Sequence, residues 1–209
     1  MGVAERRHRN RRGDFCISTC YKTAKVNMET NDNARVSLAG EFAVLSQLAL
    51  RGKDANMTLG NTKGVDILVS DPVTGQMLKL EVKTNYRKTR SPIVNSRIFG
   101  KYLSCSGWIM REKHGEYDET KDANLFYCFV NIIKETGQFK FYVIPAKIVA
   151  AYIKEENAVW HEEKKKEGKK VKITNMRQFR LGLRGEEYKK IPSTPTGEDY
   201  ENNWDFKDK

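Results

Sequence analysis

At 209 residues, 39% of them hydrophobic and 31% charged, the chain suits one domain with extensions and needs no disulfide or metal staple to bury a core. Its apolar runs, such as residues 125–130 and 148–153, are too short to span a bilayer, and the arginines at positions 6–12 lead into no long apolar stretch. A membrane span and a secretory leader are therefore not expected, and a cytoplasmic location is. A net charge of +11 attracts polyanions through counterion release, so nucleic acid is the first partner to consider.

Residues 1–33 read as a basic, mostly irregular arm, with Arg6, Arg7, Arg9, Arg11 and Arg12 crowded around His8. Over residues 36–51, Leu38, Phe42, Leu45, Leu48 and Ala49 recur at three- and four-residue steps. That spacing predicts a helix, with Ser37 as its N-cap and Gly52 as its stop. A short strand is expected over 56–59, followed by strands over 65–70 and 77–84. The turn Asp71-Pro72-Val73-Thr74-Gly75 joins the last two. The signal over 85–124 is mixed: Ile109 suits a strand, whereas 112–122 is polar and loop-like. Residues 125–133 and 139–144 read as strands, and Pro145 opens a helix running to about residue 156. The lysine-rich stretch 162–172 reads as a solvated helix end and turn, and the residues leading to Trp204 and Phe206 carry no assignable pattern. The expected organisation is a basic arm (1–33), an α/β core (34–156) and a basic C-terminal extension (157–209) packing on the core. Adjacent strands with helices at either end imply a mixed sheet flanked by helices.

Chemistry concentrates in the hairpin. With its centre between Val73 and Thr74, paired positions sum to 147 and Asp66 faces Glu81. Alternation then places Asp66, Glu81 and Lys83 on one face, and the apolar Val65, Ile67, Val69, Leu78, Leu80 and Val82 on the other. Two carboxylates opposed across a strand pair repel, with β-carbons roughly 4.5–5.5 Å apart. A divalent cation converts that repulsion into attraction, and Mg²⁺ commonly takes one or two carboxylates plus waters and phosphate oxygens. An exposed hairpin face with ordinary charges fits the same pattern. Glu41 falls between Leu38, Leu45 and Leu48 on the helical wheel, where a carboxylate is costly unless paired or bound to metal. Placement near the positive end of the helix dipole is the alternative account, but an edge position would serve that role more cheaply, so Glu41 reads as a third carboxylate of the site. His8, His114 and His161 are scattered and read as surface or packing residues. Cys16, Cys20, Cys105 and Cys128 lack the second close pair that a zinc site needs.

The run Gly64-Val65-Asp66-Ile67-Leu68-Val69, followed by Leu80-Glu81-Val82-Lys83-Thr84 and preceded by Gly40-Glu41-Phe42, resembles the PD-(D/E)xK nuclease superfamily. Val65 stands where the motif's name has proline. The resemblance implies a restriction-endonuclease-like α-β-β-β-α-β core, with Mg²⁺ (or Mn²⁺ in its place) held by Asp66, Glu81 and the main-chain carbonyl of Val82. It implies further that Glu41 supports the metal and Lys83 assists the attacking water. Asn61, Lys63, Arg87, Lys88 and Arg90 flank the hairpin and suit a phosphate-contacting surface, although a solvated loop reads equally well. The expected activity is hydrolysis of DNA, in preference to RNA, in restriction or another defence, with a homodimer suiting double-strand cleavage. The rival expectation is a non-catalytic nucleic-acid-binding or scaffold protein. Removing a repelling charge by Asp66→Ala should slightly stabilise the metal-free protein.

Overall fold

The computed structural model describes residues 33–58, 64–87, 94–96, 100–102, 106–181 and 188–208. The expected basic arm, apart from Asn33, lies outside them. The elements in chain order are α1 (Asn33–Ala49), β1 (Asp54–Met57), β2 (Ile67–Ser70), β3 (Met77–Arg87), β4 (Val94–Ser96), β5 (Gly100–Tyr102) and β6 (Ser106–Arg111). A 3₁₀ turn (Glu112–Gly115) and the single-turn α2 (Glu119–Asp122) follow, then β7 (Leu125–Ile133), β8 (Phe139–Pro145), α3 (Ala146–Lys166), β9 (Met176–Leu181), a second 3₁₀ turn (Tyr188–Lys190) and α4 (Gly197–Tyr200).

The strands from the hairpin and from the apolar runs form one five-stranded mixed sheet in the order β1-β2-β3-β7-β8. Only the central β3–β7 pair is parallel, and the other three pairs are antiparallel. The hairpin register agrees with the sequence expectation: Ile67 pairs with Leu80 and Leu68 with Lys79. Ile67, Val69, Leu78, Leu80 and Val82 are buried, as an apolar alternating face requires. On that face they meet Val44 and Leu48 of α1, together with Trp204 and Phe206 from the C-terminal segment. The opposite face carries Tyr127 and Phe129 of β7, covered by Val149, Tyr152 and Ile153 of α3 and by Trp108 and Phe179 of the antiparallel β6–β9 pair. Phe129 stacks on Phe179 with centroids 4.3 Å apart.

Several expectations change on this scaffold. The buried stripe of α1 is Gly40, Val44 and Leu48, while Leu38 (44% exposed) and Phe42 (56%) point outward. Gly40 explains the choice, since a β-carbon there would lie 1.9 Å from Thr84 Oγ1. The helix thus approaches β3 closely at Gly40, with Val44 and Leu48 completing the contact and Leu38 and Phe42 left outside it. No crossover helix longer than the single-turn α2 connects β3 to β7 among the described residues, so the α-β-β-β-α-β order is not reproduced there. In its place come β6, the 3₁₀ turn and α2. Helix α3 runs on to Lys166 rather than stopping near residue 156, its charged last turns carrying the pairs Lys166–Glu163 and Lys164–Glu167. The C-terminal segment contributes Trp204 and Phe206 to the core and an unexpected strand, β9. Phe179 and Leu181 are buried within it while Gln178 and Arg180 alternate outward, and the surrounding cations hide that period of two in the sequence. The three tryptophans divide as expected for packing residues, with Trp108 and Trp204 buried and Trp160 packed partly against the α3 side of the core.

Candidate active site

The hairpin ladder changes character at Asp66. Regular pairing would set Asp66 against Glu81, but its amide instead donates to the carbonyl of Leu80 at 2.8 Å. Its carboxylate Oδ2 accepts the Val82 N–H at 2.7 Å, so a side chain closes the sheet edge where β2 has not yet begun. Gly64 precedes it with φ +78°, a left-handed conformation suited to glycine, and a β-carbon there would lie 3.4 Å from Glu81 Oε2. A strand residue's N–H and C=O point the same way, so the Val82 carbonyl also faces the β2 side, toward Asp66.

Glu81 issues from β3 onto the face shared with Tyr127, its register partner on β7. It is only 4% exposed, and a carboxylate so placed must be paired. The Lys83 ammonium contacts Glu81 Oε1 at 2.5 Å, and His114 Nε2 lies 3.0 Å from the same oxygen. The imidazole is itself fixed. Its Nδ1 lies 2.8 Å from the Arg111 nitrogen and 3.1 Å from the Arg111 carbonyl, and because an ionised carboxylate only accepts, Nε2–H is the donor to Glu81. Tyr127 stands close enough to Glu81 for the carboxylate charge to act on its phenol.

These contacts drive the two carboxyls apart in acidity. Burial pushes Glu81 up, but the His114 hydrogen bond and the Lys83 charge outweigh it and hold Glu81 at about 2. Burial pushes Asp66 above the ordinary range, the charge of Glu81 adds to that, and the Val82 N–H with the charges of Lys83 and Lys113 offset only part of it. Burial, with the Glu81 charge beside it, likewise raises the Tyr127 phenol and keeps it neutral. The fall of Glu81 from the ordinary 4.5 to about 2 corresponds to about 3 kcal/mol in favour of the folded, ionised state at neutral pH.

The structure therefore brings together Asp66, Glu81, Lys83 and Val82, and it adds His114, Tyr127 and Lys113. Of the two readings of His114, surface or packing, the structure shows the packed one: it is buried, meets Tyr127 edge-on and, beyond what the sequence suggested, hydrogen-bonds Glu81. Its one sequence signal was an aromatic base among polar neighbours in a loop-like stretch, too weak to find it. Glu41 is not brought into the group. It belongs to the helix on the Leu80/Val82 face, accepts a hydrogen bond from Ser37 Oγ at 3.1 Å, and is half-buried beside the apolar stripe rather than within it. No set of three or more His, Cys, Asp or Glu side chains placed to hold an ion occurs among the described residues. A carboxylate pair with one carbonyl still satisfies the ordinary protein share of a Mg²⁺ shell. Asn61, Lys63, Lys88 and Arg90 lie outside the described residues. Arg87 ends β3 half-buried, its carbonyl accepting the Lys134 N–H at 2.8 Å.

No protein-family model matches the chain, and no curated protein sequence matches it. Among solved structures it is similar to a bacterial homing endonuclease at 14% identity, covering 84% of this chain and 91% of that one with a TM-score of 0.43. A likeness that coarse carries no argument about activity. No helix among the described residues is long and apolar enough to cross a membrane.

Proposed function

We propose that the chain is a Mg²⁺-dependent nuclease hydrolysing phosphodiester bonds of DNA, with Asp66, Glu81 and the Val82 carbonyl as the metal-holding set. The observation that carries this reading is the convergence of Asp66, Glu81 and Lys83 at the β2–β3 edge, beside the charge of Lys113. Two carboxylates gathered with two lysines rather than with apolar packing suit a site that receives a cation and a phosphate together. Bound there, Mg²⁺ (or Mn²⁺) would supply a Lewis acid and a template for the water and the phosphate.

The chain's own residues have separate tasks. Asp66 is anchored by the Val82 N–H, which fixes the direction of its second oxygen. Glu81 stays ionised at any physiological pH because His114 and Lys83 hold it so. Lys83 is placed to orient the attacking water or to meet charge developing on the phosphate, and Lys113 offers a second cation beside Asp66. Restriction or another defence is the setting the family resemblance suggests, with a homodimer pairing two centres for double-strand cleavage.

One observation favours the rival reading of a non-catalytic nucleic-acid-binding or scaffold protein: Glu81 is already neutralised by its own protein neighbours. A cleavage assay on supercoiled, linear and single-stranded DNA and on RNA separates the two. The nuclease reading predicts nicking or cutting in Mg²⁺ but not in EDTA, with loss of about a hundredfold or more in Asp66→Asn, Glu81→Gln and Lys83→Ala. Absence of cutting of every substrate by the wild type, in Mg²⁺ or Mn²⁺, would establish the rival.

A further inference from the structure

Between the second half of α3 and strand β9 lies a cavity of about 150 Å³, lined on the helix side by Glu156, Asn157 and Trp160 and on the strand side by Arg177, Gln178 and Arg180. Lys172, from the connection between the two elements, also lines it and is exposed. Whole small-molecule sites run from roughly 300 Å³ upward, so this cavity is too small for a cofactor. A void of about 150 Å³ does accept a benzene-sized ring, so one aromatic ring system is the size it suits.

The lining chemistry narrows the choice. Trp160 packs partly against the apolar core and remains half-buried, which presents an anchored aromatic surface to the cavity. Asn157 and Gln178 bring amide groups, which carry both a donor and an acceptor. Of the cations Lys172, Arg177 and Arg180, Arg180 is paired with Glu156 and Arg177 with Glu112, and Lys172 is the exposed one. Glu156 is buried and paired with Arg180, so it acts as an internal counter-ion and leaves the lining with a positive balance. A stacking surface, amides at the ring edge and cations at the rim are what a base and its attached phosphate require. An inorganic anion would use the cations and leave Trp160 without a role.

The neighbouring surface gives the cavity a direction. Asn157 and Arg177 also line an adjoining cavity with Gly115, Glu116 and Tyr117. Glu112 and Glu116 of that second cavity in turn line a third with Arg111 and Lys113, and it is the charge of Lys113 that acts on Asp66. Of the two acids along this path, Glu112 is paired with Arg177 at 3.0 Å.

We infer that the α3–β9 cavity is a nucleotide-binding subsite, which takes one base of a single-stranded segment against Trp160 with its phosphate on Lys172. This goes beyond the proposed cleavage reaction and does not depend on it, because binding at Trp160 needs neither metal nor turnover.

The test uses the full chain in EDTA. Trp108 and Trp204 are buried at 2% and 4% exposure, so a ligand in this cavity quenches Trp160. Tryptophan emission is titrated with 2′-deoxyadenosine 5′-monophosphate, deoxyadenosine, inorganic phosphate and a short single-stranded oligodeoxynucleotide. The inference predicts saturable quenching by the nucleotide and the oligonucleotide, weaker quenching by the nucleoside and none by phosphate. Trp160→Phe should abolish the signal. By calorimetry Trp160→Ala should weaken nucleotide binding roughly 5- to 150-fold. Lys172→Glu, at an exposed position that leaves the fold intact, should weaken the nucleotide while sparing the nucleoside. Three results overturn the inference: no saturable quenching, quenching that persists in Trp160→Phe, or phosphate binding as tightly as the nucleotide.

Discussion

Replacing His114 by phenylalanine keeps a ring in the space but removes the donor to Glu81. Hydrogen bonds to a charged group contribute about 1.5–3 kcal/mol, and this one serves a carboxylate that is 4% exposed. The Arg111 N–H loses its acceptor in the same change. For a chain of this size each kcal/mol moves the melting temperature by about 2–4 °C, so a fall of roughly 3–12 °C is expected in EDTA at pH 7. The pH dependence identifies the cause. Glu81 has a folded acidity of about 2 against an ordinary 4.5, so its stabilising contribution is complete above about pH 4.5 and is lost as pH falls toward 2. Removing the donor moves the folded value back up. The gap between wild type and His114→Phe is therefore full at neutral pH and narrows below about pH 4.5. His114→Gln, whose amide can replace the lost donor, should recover part of the loss. Scanning calorimetry from pH 2.5 to 7 makes the comparison. A His114→Phe protein melting within about 1 °C of wild type at pH 7, or a gap that stays constant with pH, refutes the account of how Glu81 is held.

Asp66 gives a second contrast by calorimetry without metal. Asp66→Asn removes the raised, repelled carboxylate but keeps an oxygen for the Val82 N–H, and it should equal or exceed the wild type in melting temperature. Asp66→Ala abandons that N–H and should lose about 1–3 kcal/mol, in place of the slight gain expected from charge repulsion alone. Gly40→Ala sets a β-carbon against Thr84 and should cost about 1–3 kcal/mol in urea unfolding as α1 is pushed off β3. In a background with Cys16, Cys20 and Cys105 replaced by serine, Cys128 is fully buried and burial pushes its thiol well above the ordinary range. It should label with thiol reagents only as fast as the protein unfolds.

The sequence showed the hairpin because its two strands obey one rule at once. A turn rich in proline and glycine set the register, and strict alternation put Ile67, Val69, Leu78, Leu80 and Val82 on one face. Glu81 and Lys83 followed from that parity. What alternation cannot show is a departure from the ladder. Asp66 bonds Leu80 and Val82 instead of pairing with Glu81, which is a side-chain event at a strand end. His114 lies 33 positions from Glu81, and only the packing of the 3₁₀ turn against β3 brings them together. On α1 the leucine periodicity placed Leu45 and Leu48 on the core but not Leu38 and Phe42, because Gly40 allows the close approach to β3 and turns the stripe toward Val44. Strand β9 was hidden because arginines and glutamine on its outer side diluted a buried Phe179 and Leu181.

The central claim is that Asp66 and Glu81 share a divalent cation beside Lys83. Calorimetric titration of Mn²⁺ or Mg²⁺ into the wild type, Asp66→Asn, Glu81→Gln and Glu41→Gln tests it most directly. The account predicts saturable binding by the wild type and by Glu41→Gln, and its loss in the other two. Binding that survives in both Asp66→Asn and Glu81→Gln, or no binding by the wild type with DNA present, would contradict it.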